Sequence, residues 1–307
     1  MRAITYDQYG GPDNLTLSDL PEPKVGPAEV LIRVRSAAVN PVDWKLAAGG
    51  LDPLMTTVFP AIPGWDVSGV VERVGLDTPE FQPGDEVIAY ARKDFVQGGT
   101  FADYVTVPVR AVARKPRALD WDQSAGLPLA GLTAYQLLSR LGLAKGETVL
   151  VHAAAGGVGL LAVQIARATG ARVIGTASEA NHEVLRGFGV EPVAYGEGLT
   201  DRVRELAPDG VDVVVDFIGG VLDTTRAVLK DGGRHGSIVD GEVAEHGGLY
   251  AWVRPSADDL QTLSDLADQG LLTVPVAQVF PLEKAAEAFR VSQGGHVRGK
   301  IAIEVSR

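Results

Sequence analysis

Cysteine is absent from this sequence of 307 residues. Its absence excludes disulfide bonds, thiolate nucleophiles and every zinc site that depends on cysteine ligands. Histidines are few and scattered, and none of them forms an HExxH motif. They stand at positions 152, 182, 235, 246 and 296. We therefore expect no metal ion at the functional site.

Basic residues are outnumbered: 28 Lys and Arg stand against 39 Asp and Glu, which gives a formal charge of −11. Because binding to nucleic acid requires a basic surface that displaces phosphate counterions, we expect no nucleic-acid partner. No apolar run approaches the roughly 18 residues of a membrane-spanning helix. The opening residues, MRAITYDQYGGPDN, lack the apolar core of a secretory signal. These features predict a cytoplasmic protein without a membrane partner.

The first third of the chain has the pattern of short β-strands. Runs such as VLIRV (30–34), GVVERV (69–74) and EVIAY (86–90) are separated by turn residues, most clearly at 83–85 and 98–99. The length exceeds that of one average domain, and 46% of the residues are hydrophobic, enough for more than one core. We therefore expect two domains, the first of them rich in β-structure.

The pattern changes after residue 121, where a helical stretch (127–141) precedes strands that alternate with helices. This alternation predicts a parallel sheet with crossover helices, the α/β class. The predicted strands are 148–152, 172–176, 192–195, 211–217 and 234–239, with a buried helix at 157–169. Beyond residue 253 we expect, in order, a helix at 257–267, a strand at 271–280, a helix at 282–291 and a strand at 300–305.

The stretch VLVHAAAGGVGLLAVQIARATGARVIGTAS (149–178) carries the strongest functional signal. It places the pattern Ala154-x-Gly156-x-x-Gly159 between a predicted strand and a predicted helix, with alanine where a dinucleotide-binding fingerprint usually begins with glycine. Gly156 would let the backbone approach a pyrophosphate, and the amides near Gly157 and Val158 would face the anion from a helix N-terminus. The alternative is a glycine-rich turn without a ligand.

The end of the second strand of this region favours NADPH over NADH. An NAD site usually carries a carboxylate there, which would repel a 2′-phosphate. The corresponding position is Ala177, between Thr176 and Ser178. The loop 178–181 holds no Arg or Lys, however, and Glu179 would weaken the interpretation if it turned inward.

Motifs along the whole chain resemble the zinc-independent quinone oxidoreductases and alkenal reductases of the medium-chain dehydrogenase/reductase superfamily. The segments that carry the resemblance are AVNPVDWK (38–45), PAIPGWDVSGVVERVG (60–75), FQPGDEVIA (81–89), GGTFADYV (98–105), LPLAGLTAYQLL (127–138), HAAAGGVG (152–159), VVDFIGG (214–220) and GHVRGKIAIEV (295–305). The resemblance implies a GroES-like, partly open β-barrel catalytic domain (1–118, completed by 255–307). It also implies a Rossmann domain with a doubly wound parallel sheet (119–254), and an active site in the cleft between the two.

The resemblance also accounts for the expected lack of metal. Zinc-dependent relatives have a cysteine at the position similar to Asn40 and a histidine at the position similar to Trp65. Without zinc to polarise an alcohol or carbonyl oxygen, the feasible reaction is hydride transfer from NADPH to a quinone or an α,β-unsaturated carbonyl, which is already electrophilic.

The resemblance further suggests individual roles. Asn40 and Thr133 would lie near the nicotinamide, and Lys45 would reach its ribose or stabilise a developing enolate; a solvated lysine is the alternative. Trp65, with Trp44 and Phe59, would wall the substrate cleft. Tyr90 is a candidate proton donor, and solvent is the alternative. Predicted cofactor contacts are Ala155, Gly156, Gly157, Val158, Thr176, Ser178, Tyr195, Phe217, Gly219, Arg298 and Lys300.

Two other functions remain open from the residues. A 2-enoyl thioester reductase would use the same hydride chemistry, and a non-catalytic NADPH-binding or sensor protein would use only the cofactor site. We also expect a homodimer through the apolar edge segment GLYAWV (248–253), because exposed edge strands are commonly covered by a partner.

Overall fold

Extended segments dominate the first third of the chain in the computed structural model, which describes residues 1–306. Fifteen strands occur within these residues. In chain order they are β1 (Arg2–Thr5), β2 (Thr16–Asp19), β3 (Glu29–Val39), β4 (Asp66–Val74), β5 (Glu86–Tyr90), β6 (Tyr104–Pro108), β7 (Val112–Arg114), β8 (Thr148–Val151), β9 (Arg172–Ala177), β10 (Glu191–Ala194), β11 (Val211–Asp216), β12 (Leu229–Ser237), β13 (Leu249–Tyr250), β14 (Val276–Pro281) and β15 (Lys300–Glu304).

The helices begin and end at residues with ordinary capping chemistry. Asp120 caps the second helix by accepting from the Gln123 amide, and Gly170 ends the fourth in the left-handed conformation that glycine allows. Within residues 1–306 the α-helices are α1 (Pro41–Ala47), α2 (Trp121–Ala125), α3 (Pro128–Arg140), α4 (Gly157–Thr169), α5 (His182–Gly187), α6 (Leu199–Leu206), α7 (Leu222–Val228), α8 (Ala257–Asp268) and α9 (Ala285–Gln293).

The described residues divide into two units. One comprises residues 1–132 and 255–306, and the other comprises Thr133–Arg254. The division falls inside α3, whereas the domain limit expected from the sequence lies before α2, between residues 118 and 119. None of the described helices is long and apolar enough to cross a membrane.

The first unit contains a seven-stranded sheet with the order β14-β15-β3-β4-β5-β7, and β6 also pairs with β3. All pairs are antiparallel except β14 with β15. A hydrophobic core of this unit packs against the sheet, and the rings of Phe101 and Phe289 meet in it at 5.9 Å between centroids. The β-rich character predicted from short apolar runs between turn residues is therefore confirmed.

The second unit contains a six-stranded sheet with the order β10-β9-β8-β11-β12-β13, and every pair is parallel. Counted from β8, this is the order 3-2-1-4-5-6 of a doubly wound dinucleotide-binding fold. Val213, Val214 and Val215 of β11 are completely buried, as expected for a central strand covered on both faces. The predicted parallel sheet with crossover helices is confirmed.

Some predicted element bounds are wrong. β12 begins at Leu229 rather than at residue 234, because its first residues, including Gly232 with φ +75°, lack an apolar pattern although Leu229 already pairs with Val211. β14 begins at Val276 rather than at residue 271, directly after Pro275, which cannot donate to a ladder. The helix predicted at 282–291 is instead a 3-10 turn, Leu282–Lys284, followed by α9.

Candidate functional site

The glycine-rich segment forms the turn between β8 and α4. Ala153 has a left-handed φ of +55°, and Gly156 is the N-cap of α4, its amide bonded to the Ala153 carbonyl at 3.0 Å. The first amides of a helix have no partner within the helix, so those of Gly157 and Val158 provide donors for an anion. The turn therefore has the form of a phosphate-binding site, at the carboxyl edge of the parallel sheet.

Close packing explains both the last glycine of the motif and its missing first one. A Cβ on Gly159 would lie 2.1 Å from the Ala153 carbonyl oxygen, so only glycine lets α4 approach β8 this closely. Ala154 takes the place of the usual first glycine, and a Cβ on Gly175 would lie 2.8 Å from its methyl group. Glycine at position 175 of the neighbouring strand thus provides the room that Ala154 occupies.

The end of β9 carries small and polar residues and no carboxylate in the position expected for an NAD site. Ala177 is the last residue of β9 and is buried. Thr176 accepts a bond from the Ala153 amide through Oγ1 (3.1 Å), and the Asn181 Nδ2 donates to Ser178 Oγ (3.1 Å). Glu179 is exposed. The end of β9 can therefore accept a 2′-phosphate without opposition from a buried acid at that position.

The other predicted cofactor residues of this unit follow the next strands. Tyr195 comes directly after β10 and is 61% exposed. Phe217 and Gly219 follow β11, where Gly219 has a φ of +85°. Since the carboxyl ends of parallel strands form one edge of a sheet, these residues share that edge with the turn at residues 153–158. Thr133 is buried on α3.

A buried polar network in the first unit surrounds Asn40. The Asn40 Nδ2 donates to Asp66 Oδ2 at 2.8 Å, and the Leu129 amide donates to Asp66 Oδ1 at 2.8 Å. Lys300 donates to Asn40 Oδ1 and to the Val39 carbonyl, and its Nζ lies 3.8 Å from Asp66. The side-chain amide of Asn40 therefore bridges the buried Asp66 carboxylate and the buried Lys300 ammonium.

Asp43 extends this network from the first turn of α1. Its Oδ2 accepts a hydrogen bond from the backbone N–H of Asn40 at 2.7 Å, whereas its Oδ1 has no hydrogen-bond partner among residues 1–306. Burial raises the pKa of Asp43 to about 8, although the bond from Asn40 opposes this shift and nearby Asp66 reinforces it. Asp43 is consequently protonated at neutral pH.

Asp66 and Lys300 form a buried ion pair, and burial shifts the pKa of both groups. Burial raises the pKa of Asp66 to about 6, and Lys300 limits that rise. Burial also lowers the pKa of Lys300, against the effect of Asp66 and Asp43. With Asp43 protonated, the network holds one negative and one positive charge, so its buried charges balance.

The aromatic candidates lie in different surroundings. Trp65 is 5% exposed and meets Tyr90 edge to face at 6.0 Å between ring centroids. Burial raises the pKa of the Tyr90 phenol, so it retains its proton. Trp44 is half-buried and donates to Ser292 Oγ at 3.2 Å, and the exposed Lys45 places its ammonium 5.5 Å from the Trp44 ring. Phe59 packs edge to face on Tyr6 and Tyr9 and is partly exposed.

The residues at the positions similar to zinc ligands do not fit zinc. The Asn40 amide is bound to Asp66 and Lys300, and Trp65 offers an indole, which is not a metal ligand. No group of three or more His, Cys, Asp or Glu side chains within residues 1–306 could hold a metal ion.

The C-terminal pair of basic residues separates in the structure. Arg298 is exposed, whereas Lys300 is 5% exposed and belongs to the Asn40 network. Sequence reasoning also missed Asp216 and Ser237, which bond to each other at 2.7 Å at the carboxyl edge of the second sheet. Their position as the last residues of β11 and β12 is the signal that could have found them.

Comparison with known proteins identifies the family. Residues 26–117 match the alcohol dehydrogenase GroES-like domain, and residues 188–303 match a domain described as zinc-binding dehydrogenase. An NADPH-dependent alkenal/one oxidoreductase of Arabidopsis thaliana is 34% identical over 99% of this chain and 79% of its own length. A quinone oxidoreductase structure from Coxiella burnetii is 32% identical with a TM-score of 0.87, covering 100% of this chain and 99% of the other.

An NAD-dependent alcohol dehydrogenase structure is also similar, with 32% identity and a TM-score of 0.90, covering both chains completely. The α/β fold class with a Rossmann-type domain and a GroES-like domain is thereby confirmed. The chain belongs to the quinone oxidoreductase-like family of the medium-chain dehydrogenase/reductase superfamily.

Proposed function

We propose that the protein is an NADPH-dependent oxidoreductase that transfers hydride to a quinone or to an α,β-unsaturated carbonyl compound. The observation that carries the proposal is the Asn40 network, in which an amide and a buried ion pair occupy the place where zinc-dependent relatives polarise an alcohol. The names of the similar Arabidopsis and Coxiella proteins support the same substrate classes.

The residues at the carboxyl edge of the second sheet would hold NADPH. The amides of Ala155, Gly156, Gly157 and Val158 would receive the pyrophosphate, and Thr176 and Ser178 would face the adenosine ribose. Ala177 supports NADPH over NADH because an acid at this position would repel the 2′-phosphate. When bound, NADPH supplies the hydride.

The remaining chemistry falls to side chains of the first unit. Hydride addition to a quinone or enone spreads negative charge through the conjugated system, so modest donors suffice where an isolated ketone would require a Lewis acid. Asn40 has two amide N–H bonds and uses one for Asp66, which leaves one for a substrate oxygen or the nicotinamide. Lys45 would stabilise the developing enolate, and Tyr90 or solvent would supply the proton.

A steady-state screen tests the proposal. NADPH and NADH are each combined with quinones, enals, 2-enoyl thioesters, saturated ketones and primary alcohols. We expect turnover of quinones or enals with NADPH, and Lys45→Met should lower kcat while the matched Lys45→Arg and Lys24→Met variants retain it. Oxidation of alcohols without turnover of any conjugated acceptor would refute the proposal. Preferential turnover of thioesters would favour the 2-enoyl thioester reductase. Binding of NADPH without turnover of any acceptor would favour the sensor protein.

A homodimer and a cytoplasmic location belong to the same proposal. β13 is the edge strand of the second sheet, and Tyr250 and the following Trp252 are partly exposed, which suits an edge covered by a second copy. A light-scattering mass equal to the 32.3 kDa of one chain would contradict the dimer. The cytoplasmic location accords with a chain that lacks cysteine, and cell fractionation tests it.

A further inference from the structure

Two strands of the second sheet flank the point at which its connections change direction. From β8 the chain continues to β9 on one side, and from β11 it continues to β12 on the other. Ligands of doubly wound sheets bind in the crevice at the carboxyl ends of such strands, and each half of the sheet receives one mononucleotide. β8, β9 and β10 therefore face the adenosine half of a dinucleotide, and β11, β12 and β13 face the nicotinamide half.

Asp216, the last residue of β11, holds the loop that follows it. It is 4% exposed, and its Oδ1 accepts bonds from the amides of Ile218 (2.8 Å) and Gly219 (2.9 Å). Its Oδ2 accepts a bond from Ser237 Oγ at 2.7 Å. A buried carboxylate is thus satisfied by three donors, two of them in the loop whose residues 217 and 219 would line the cofactor.

Ser237, the last residue of β12, holds the next loop in the same manner. Its Oγ donates to Asp216 and accepts bonds from the amides of Val239 (3.1 Å) and Asp240 (2.9 Å). The Asp216–Ser237 bond therefore joins the two loops at the nicotinamide half. It adds a side-chain contact to the backbone pairing of the two strand ends, where Asp216 lies opposite Ser237 and the Ile238 amide donates to the Asp216 carbonyl at 3.2 Å.

His152, which directly follows β8, lies in the electrostatic field of Asp216 without neutralising it. It is 1% exposed, and neither ring nitrogen has a hydrogen-bond partner within residues 1–306. Burial lowers its pKa to about 4, although Asp216 opposes the shift, so the ring is neutral. Among the described residues Asp216 forms no ion pair, and its hydrogen bonds come from the loop after β11 and from Ser237.

We propose that Asp216 and Ser237 are positioning residues for the nicotinamide half of NADPH. Together they hold the loops after β11 and β12 in one arrangement, so that the backbone there meets the nicotinamide mononucleotide in a fixed geometry. The inference rests on the proposed use of NADPH. It predicts that the pair affects recognition of the nicotinamide half and leaves recognition of the adenosine half unchanged.

The experiment compares two ligands by calorimetry: NADPH, and adenosine 2′,5′-bisphosphate, which lacks the nicotinamide half. For Ser237→Ala we expect the Kd of NADPH to rise about tenfold, the size of one lost hydrogen bond to a charged group, with an unchanged Kd for the bisphosphate. Ser237→Thr, which keeps the hydroxyl, should restore wild-type binding. Thr176→Val, at the adenosine half, is the matched control and should weaken both ligands.

Equal weakening of both ligands by Ser237→Ala, or no effect on either, would overturn the inference. Asp216→Asn provides the same comparison if Ser237→Ala does not fold, as judged by thermal unfolding of each variant. No electron acceptor enters the experiment, so an error in the proposed substrate does not affect it. Failure of the wild-type protein to bind NADPH would instead refute the proposed function.

Discussion

The two buried carboxylates next to Asn40 should respond in opposite ways to the same substitution. Asp66 is ionised at neutral pH and pairs with Lys300, whereas Asp43 holds a proton and has one oxygen without a partner. Asparagine resembles a protonated aspartic acid in shape and charge. Asp43→Asn should therefore leave the native structure intact, and Asp66→Asn should leave the Lys300 ammonium buried without a counterion.

The expected size of each effect follows from burial. Breaking a buried ion pair by removing one partner costs about 3–5 kcal/mol, and Asp66→Asn should lower the free energy of unfolding by this amount at neutral pH. For Asp43 the folded pKa of about 8 lies above the unfolded value near 3.8. Between these values the unfolded chain releases a proton that the folded chain keeps, so rising pH destabilises the wild type by about 1.4 kcal/mol per unit.

Urea unfolding of the wild type and both variants, at several pH values from about 5 to about 8, measures these effects. Groups distant from Asp43 titrate alike in both proteins, so the difference between Asp43→Asn and the wild type reports Asp43 together with its coupling to Asp66. The free energy of unfolding of Asp43→Asn should increase relative to that of the wild type with each unit of pH, and this increase should stop above about pH 8. A difference that does not change with pH, or equal destabilisation by both substitutions, would refute the assignment of the proton to Asp43.

Three further predictions concern the cofactor edge and the metal. Gly159→Ala places a methyl group 2.1 Å from the Ala153 carbonyl and should abolish NADPH binding and lower Tm, whereas Gly156→Ala, with its nearest contact at 3.3 Å, should be milder; titration and thermal unfolding compare them. Ala177→Asp should weaken NADPH binding by about 1–3 kcal/mol through charge repulsion, with Ala177→Asn as the uncharged control, and equal effects would contradict this reasoning. NADPH-dependent turnover should survive exhaustive chelation, and stoichiometric zinc in active protein would disprove it.

Local patterns were sufficient to predict the second sheet. Strand, glycine turn and helix follow one another within residues 148–169, and the predicted helix at 157–169 has the bounds of α4. Period and turn residues determine such a unit over short distances. The start of β12 was missed because its pairing with β11 near Leu229 depends on a neighbouring strand and on a bulge, which an apolar pattern does not reveal.

The polar network of the first unit could be predicted only in part. The resemblance singled out Asn40 and Lys300, but it assigned Lys300 to the cofactor, and nothing in the sequence showed that this lysine bonds to Asn40 across 260 positions. The partners lie on β15, at the start of α1 and on β4. Contacts of this kind arise from the register of β15 on β3, where Ile301 faces Val39, and a single sequence does not encode register in a readable form.

The members of the Asn40 network depend on one another, so a single substitution cannot turn this network into a metal site. Burying any one of these charged side chains alone would destabilise the fold. The charge of Asp66 is stabilised by Lys300 and by the side-chain amide of Asn40, and the charge of Lys300 is stabilised by the Asp66 carboxylate and the Val39 carbonyl. Asn40→Cys would therefore remove a hydrogen-bond donor from Asp66 and an acceptor from Lys300, whether or not a metal ion binds. The same interdependence makes Asn40 less free to act on a substrate than an isolated amide. In the proposed reaction its contribution is limited to the one N–H that Asp66 does not use.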